Sequence, residues 1–194
     1  MAEVVLFHHV QGLTDGVRAF AEELAAGGHI VHTPDLFDGQ RPATIDDGIA
    51  FTQGIGDEVL SERANQAVAG LPDGLVYAGF SYGVMLAQRF AQTRPGARGA
   101  LLYDSCIPIT GEWAFGPWPA GVPVQIHGMD KDPIFVGEGD IVAAREIVEK
   151  VRDAELFLYP GDRHLFADSS LPSYDADAAA LVVRRSREFL DRVS

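Results

Sequence analysis

The stretch VYAGFSYGV, Val76 to Val84, sets a serine between two glycines at the end of an apolar run. The run from Leu75 to Phe80 reads as a buried strand and the residues from Tyr82 onward as a helix. Gly79-Phe80-Ser81-Tyr82-Gly83 therefore fits G-x-S-x-G at a strand-to-helix junction. In that setting the pattern carries a mechanism: a sharp turn holds the serine in a strained backbone conformation, and the glycines let neighbouring segments approach too closely for a β-carbon. A serine flanked by glycines elsewhere is more often a helix cap. Its place after a strand makes Ser81 a candidate nucleophile instead.

Outward from this junction, short apolar runs alternate with longer amphipathic segments. Strands are expected at 4–7, 30–31, 75–80, 99–103, 122–127 and 155–159, and helices at 15–27, 57–69, 82–93, 140–151 and 175–192. Regular alternation predicts a mostly parallel central sheet with helices on both faces. Ligands of such sheets bind beyond the carboxyl ends of the strands. The residues just after each strand are therefore the candidates for chemistry: His8, His9, Asp35, Ser81, Asp104, Asp130, Asp132 and His164.

Composition narrows the function. A chain of 194 residues with 47% hydrophobic content and no internal repeat is expected to form one domain, 1–194. A net charge of -13 opposes attraction to phosphate backbones and anionic membranes, so no nucleic-acid partner and no membrane partner is expected. No apolar stretch approaches the length of a membrane span, the N-terminus lacks a basic leader, and the lone Cys106 cannot form an internal disulfide. These features predict a cytoplasmic protein.

A serine hydroxyl needs a base within hydrogen-bond reach, and the base needs an acid to hold it. For this kind of elbow the chain order is serine, acid, histidine. His164, in YPGDRHLF after the last strand, is the expected base; His127 is placed at the end of its own strand. Asp132 in HGMDKDPIF is the favoured acid because the following proline biases it toward extended backbone, with Asp130 and then Asp104 as alternatives. The developing oxyanion needs N–H donors, expected from Tyr82 at the helix start and Val10 in the HHVQG loop.

With the elbow, HGMDKDP and YPGDRHLF together, the sequence resembles the dienelactone hydrolase family of α/β-hydrolases from Val4 to about Leu190. The resemblance implies an α/β-hydrolase fold in a minimal form without the family's initial hairpin, and Ser81, Asp132 and His164 match its nucleophile, acid and base. It implies cleavage of a small-molecule ester, lactone or thioester through an acyl-serine, without cofactor. A binding or sensor protein with negligible turnover, and an acyltransferase, stand as the alternatives. The family's namesakes carry cysteine where Ser81 stands, a glutamate where His9 stands, and a substrate-binding arginine where Asp168 stands.

His9 and Asp168 are accordingly expected at the substrate, with the Asp168 carboxylate disfavouring anionic substrates. Trp113 and Phe115, in the aromatic connection GEWAFGPWPAG, are expected either to wall the acyl pocket or to fill a surface cluster. The histidines at 8, 9, 29 and 32 match no compact ligand spacing, so no metal is expected.

Overall fold

The computed structural model describes residues 1–194. Six strands, β1 (Glu3–Phe7), β2 (Ile30–His32), β3 (Val76–Phe80), β4 (Gly99–Tyr103), β5 (Val124–Met129) and β6 (Ala154–Tyr159), form one sheet in the order β2-β1-β3-β4-β5-β6. Every neighbouring pair is parallel. The helices are α1 (Asp15–Ala25), α2 (Ile45–Ile55), α3 (Asp57–Ala69), α4 (Tyr82–Thr93), α5 (Asp140–Lys150) and α6 (Ala176–Arg192). No helix is long and apolar enough to cross a membrane.

The strand residues divide by alternation, as the pleat requires. Val5, Phe7, Tyr77, Leu102 and Ile126 pack with Leu60 of α3, Phe90 of α4 and Ile147 of α5. Val4, Leu6, Ala78, Phe80 and Leu101 pack with Phe20 of α1 and Val182 of α6 on the other side. With β3 and β4 buried at every position, continuous apolar runs rather than alternating ones are the physical outcome. The chain passes from β1 outward to β2 and then back across to β3, so the strand order reverses beside β1. Ser81 and the HHVQG loop both lie at this reversal, where parallel sheets open a crevice.

Helix α2 has no counterpart in the sequence reading. Its segment carries Gly48 and Gly54 inside the helix, and only Gly48 and Thr52 are buried, so propensity and periodicity are both weak. Tertiary contact explains it: a β-carbon at Gly48 would stand 2.4 Å from the Val10 carbonyl oxygen. Thr44 caps the helix by accepting the Asp47 N–H, and the Gln11 amide donates to the Ala43 carbonyl. These contacts press the start of α2 against the loop after β1.

A second close approach of backbone to backbone lies at the elbow. A β-carbon on Gly83 would meet the Phe7 carbonyl oxygen at 2.4 Å and that of His8 at 2.7 Å, and one on Gly79 would meet the Gly83 oxygen at 2.3 Å. All are backbone atoms with no flexible side chain to yield. Gly83→Ala is expected to cost about 1–3 kcal/mol in chemical denaturation, whereas Gly70→Ala, which meets nothing, should cost far less. Equal stability of the two variants would contradict this packing.

Candidate active site

Ser81 occupies the elbow with φ 47 and ψ -111, a region that non-glycine residues rarely enter. Its N–H extends the β3–β4 ladder by donating to Tyr103 at 2.8 Å, which locks the turn. The side chain is consequently thrown out beyond the sheet. There the Ser81 hydroxyl donates to His164 Nε2 at 2.9 Å, and His164 Nδ1 donates to Asp132 Oδ2 at 2.7 Å. The other Asp132 oxygen accepts the N–H groups of Ile134 (2.8 Å) and Phe135 (3.2 Å). Four hydrogen bonds thus fix one carboxylate and one ring.

Electrostatics poise His164 as a base. Burial opposes its protonation, but the Asp132 hydrogen bond and the charges of Asp104, Asp132 and Asp140 outweigh that penalty and raise its pKa. The other acids take different places. Asp130 is exposed and accepts the Gly161 N–H at 3.0 Å, the role of a turn residue. Asp104 is fully buried beside the row without a hydrogen bond. His127 bonds Tyr159 and Gln125 inside the sheet, and burial holds its pKa down at about 3. One oxygen or nitrogen each from Asp104, Asp132 and His164 lies within 4.8 Å of the others. That donor set fits a metal ion poorly, because Asp132 and His164 already satisfy one another.

The loop after β1 is held by its own buried histidines. His8 is buried and neutral, its pKa lowered to about 4 chiefly by desolvation; Nε2 accepts the Leu36 N–H, leaving Nδ1–H to donate to the His9 carbonyl at 2.8 Å. Gly12 N–H donates to that carbonyl as well, at 3.0 Å. The His9 carbonyl and the Val10 N–H belong to one trans peptide and point in opposite directions. Pinning the first therefore directs the second. Tyr82, first residue of α4, offers an N–H without an intrahelical partner, and its peptide is pinned in the same way because the Ser81 carbonyl accepts Val84 N–H at 2.8 Å.

Two expected substrate contacts, His9 and Asp168, turn inward instead. The His9 and Asp168 side chains have no exposed surface: His9 Nε2 donates to Asp168 at 2.8 Å, while His9 Nδ1 accepts the Gln11 N–H at 3.2 Å. Thr14 and Ser170 hydroxyls donate to the same carboxylate. Asp168 is thus an internal clamp between the His164 loop and the loop after β1, and its charge, shared among four donors, supplies no argument against anionic substrates. Trp113 is 78% exposed. Gly116, next to Phe115, is held by Gln92, about 15 Å along α4 from the elbow at 1.5 Å per residue. The Trp118 indole N–H donates to Val122 just before β5. These anchors tie the connection to the far end of α4 and to the residues before β5, which favours the surface-cluster reading of Trp113 and Phe115.

The model of the dienelactone hydrolase family matches residues 1–194. The chain belongs to the dienelactone hydrolase family. This dienelactone hydrolase family member is a carboxylic ester hydrolase with the α/β-hydrolase fold. A dienelactone hydrolase-like promiscuous phosphotriesterase from metagenomic libraries shares 21% identity at a TM-score of 0.74, over 100% of this chain and 87% of that one. Thermogutta terrifontis esterase 2 shares 19% at 0.66, covering 100% and 83%. A dienelactone hydrolase from Anabaena variabilis shares 17% at 0.65, covering 98% and 86%. No curated protein matches the chain.

For this dienelactone hydrolase family member, the sequence places His8 among the residues that follow strands without giving it a role, and it does not point to the clamp partners Thr14 and Ser170; the histidine pair directly after the first strand was the available signal. The Asp168 carboxyl is held below the ordinary range because hydrogen bonds from His9, Ser170 and Thr14 outweigh burial, the largest single influence and one that raises it. A depressed pKa contributes stability above the unfolded carboxyl range that is lost as pH falls through the folded value. Asp168→Ala is expected to cost about 2–3 kcal/mol at neutral pH, and less on acidification, measured by urea unfolding from pH 7 downward. A pH-independent difference would remove the charged clamp.

Proposed function

We propose that the chain is a single-domain serine hydrolase that cleaves a small ester, lactone or thioester through an acyl-Ser81 intermediate. The observation that supports it is the unbroken row Ser81 Oγ, His164, Asp132, with bonds of 2.9 and 2.7 Å. As Ser81 Oγ attacks the acyl carbon, its proton passes to His164 Nε2, which returns it to the leaving oxygen or sulfur as that bond breaks. Water then gives a proton to His164, attacks the acyl group and releases Ser81 with its proton restored. Asp132 holds the ring with hydrogen on Nδ1 and stabilises the transient cation.

The Tyr82 and Val10 amides hold the oxyanion, each such donor being worth about 3–4 kcal/mol of transition-state stabilisation. Both are backbone groups whose peptides are already tied down, so they need no reorganisation when charge develops. Family membership supports hydrolysis over silent binding, and the proton path to His164 is what turnover requires and binding does not. Water as the acceptor, with no cofactor, is the simplest route consistent with this set of residues.

Thermogutta terrifontis esterase 2 is phosphoramylated by tabun, which supports a phosphorus-based probe as the test here. An organophosphonate is expected to label Ser81 alone, seen by peptide mass spectrometry, and Ser81→Ala to abolish both labelling and at least about ten-thousandfold of short-chain ester hydrolysis. Labelling that survives in Ser81→Ala would dispose of the nucleophile. The base must be neutral to act, and the His164 pKa is raised. Accordingly kcat/KM should climb with pH through a midpoint above the ordinary histidine value of about 6.5; a flat profile across that range would count against His164.

A further inference from the structure

Asp104 follows β4, one strand before the strand that leads to Asp132. It has no exposed surface, stands at φ 61, and neither carboxyl oxygen has a hydrogen-bond partner. Burying a carboxyl without partners is costly, and native structures rarely tolerate it without a use. The groups that face it are those of the site: His164, Asp132, the Tyr159 phenol, and the Leu165 N–H, which points toward it without completing a hydrogen bond. One Asp104 oxygen lies within 4.8 Å of both an Asp132 oxygen and a His164 nitrogen. Of the four non-glycine residues with positive φ, three (Ser81, Asp104 and Leu165) surround this ring, and strain of this kind gathers where function requires it.

We propose that Asp104 is a positioning residue for acyl transfer: a second carboxyl group beside His164 that stabilises its cation together with Asp132, and that orients the ring in place of Asp132 when Asp132 is removed. The proposal rests on the reading of Ser81, His164 and Asp132 as the triad. No additional proton is transferred. When Ser81 gives its proton to His164 Nε2, the Nδ1 proton stays shared with Asp132, and an ionised Asp104 adds a second negative charge facing the imidazolium.

The contribution is conditional on charge. Burial pushes the Asp104 carboxyl up to about 7, with the His164 charge drawing it down and the Asp132 charge adding to the rise. Two neighbouring carboxyls resist simultaneous ionisation. Below neutral pH Asp104 is uncharged and idle; above it, it assists. The sign for stability is opposite: with a folded pKa above the unfolded one, the protonated group suits the fold at acid pH, and that advantage is lost as pH rises through about 7. Asp104 therefore costs stability under the conditions in which it helps the reaction.

The experiment measures kcat and KM against pH for wild type, Asp104→Asn, Asp132→Asn, the double variant, and His164→Ala as control. Asparagine tolerates the backbone at φ 61, and Asp104→Gly serves as a second variant free of side-chain effects. Expected for Asp104→Asn are an acid limb of kcat/KM moved to lower pH, a kcat above pH 8 reduced about tenfold with KM nearly unchanged, and thermal stability above pH 7 equal to or greater than wild type. Asp104→Asn should cost a larger factor in the Asp132→Asn background than alone. An unmoved acid limb with unchanged kcat, equal factors in the two backgrounds, or lower thermal stability at all pH would each overturn the proposal. If His164→Ala stays active, the triad reading falls and takes this one with it; if His164→Ala is inactive while Asp104→Asn matches wild type, only the role of Asp104 falls.

Discussion

The site depends on one close approach, that of the α4 N-terminus to the carboxyl end of β1. Gly83 lies so near the Phe7 and His8 carbonyls that no β-carbon fits between them. Because of it, the start of α4, with Ser81 just before it, packs directly against the start of the loop after β1. Were the helix to stand off by the width of a methyl group, the strained serine would remain but its surroundings would open. Gly48 repeats the device one layer out, letting α2 rest against the Val10 carbonyl. Two glycines in different helices thus hold one loop from opposite sides.

Buried polar groups do the rest, and they differ in how well they are satisfied. His8 and His9 each use both ring nitrogens, one on a neighbour in the chain and one on a distant residue, which fixes tautomers and ties the peptide of the Val10 amide from the carbonyl side. Asp168 collects donors from three segments and acts as a rivet. Asp132 has one oxygen occupied by backbone amides and the other by His164. Of the three buried carboxyl groups, Asp104 has no partner. A fully bonded carboxylate builds rigidity, whereas an unbonded one in the same cavity stores unfavourable energy, and the two kinds sit on adjacent strands facing a single imidazole.

Much of the fold was legible in the sequence. The six apolar runs and five of the six helices have the right kind and order, because strands covered on both faces must be apolar throughout and the helices between them must carry an apolar stripe. Ser81, His164 and Asp132 could be picked out because the ends of parallel strands are the only places from which side chains reach a common crevice. The ranking of Asp132 above Asp130 rested on a proline; in the structure Asp130 turns to solvent while Asp132 bends back to cap the next turn.

The order of residues along the chain therefore carries the alternation of elements, the elbow, and the short set of residues from which a hydrogen-bonded row could be assembled. Which of those residues meet depends on how the closed chain packs. Helix α2 exists because Gly48 fits against a carbonyl, a fact of packing that gives no periodic signal. Asp168 turned inward because His9 and Thr14, more than 150 residues away in the chain, join Ser170 in donating to it, and the connection that carries Trp113 and Phe115 is anchored at the far end of α4. Local patterns record how each segment buries its own face. The direction of a loop side chain is set by partners far away in sequence, and those partners are defined only once the chain has closed on itself.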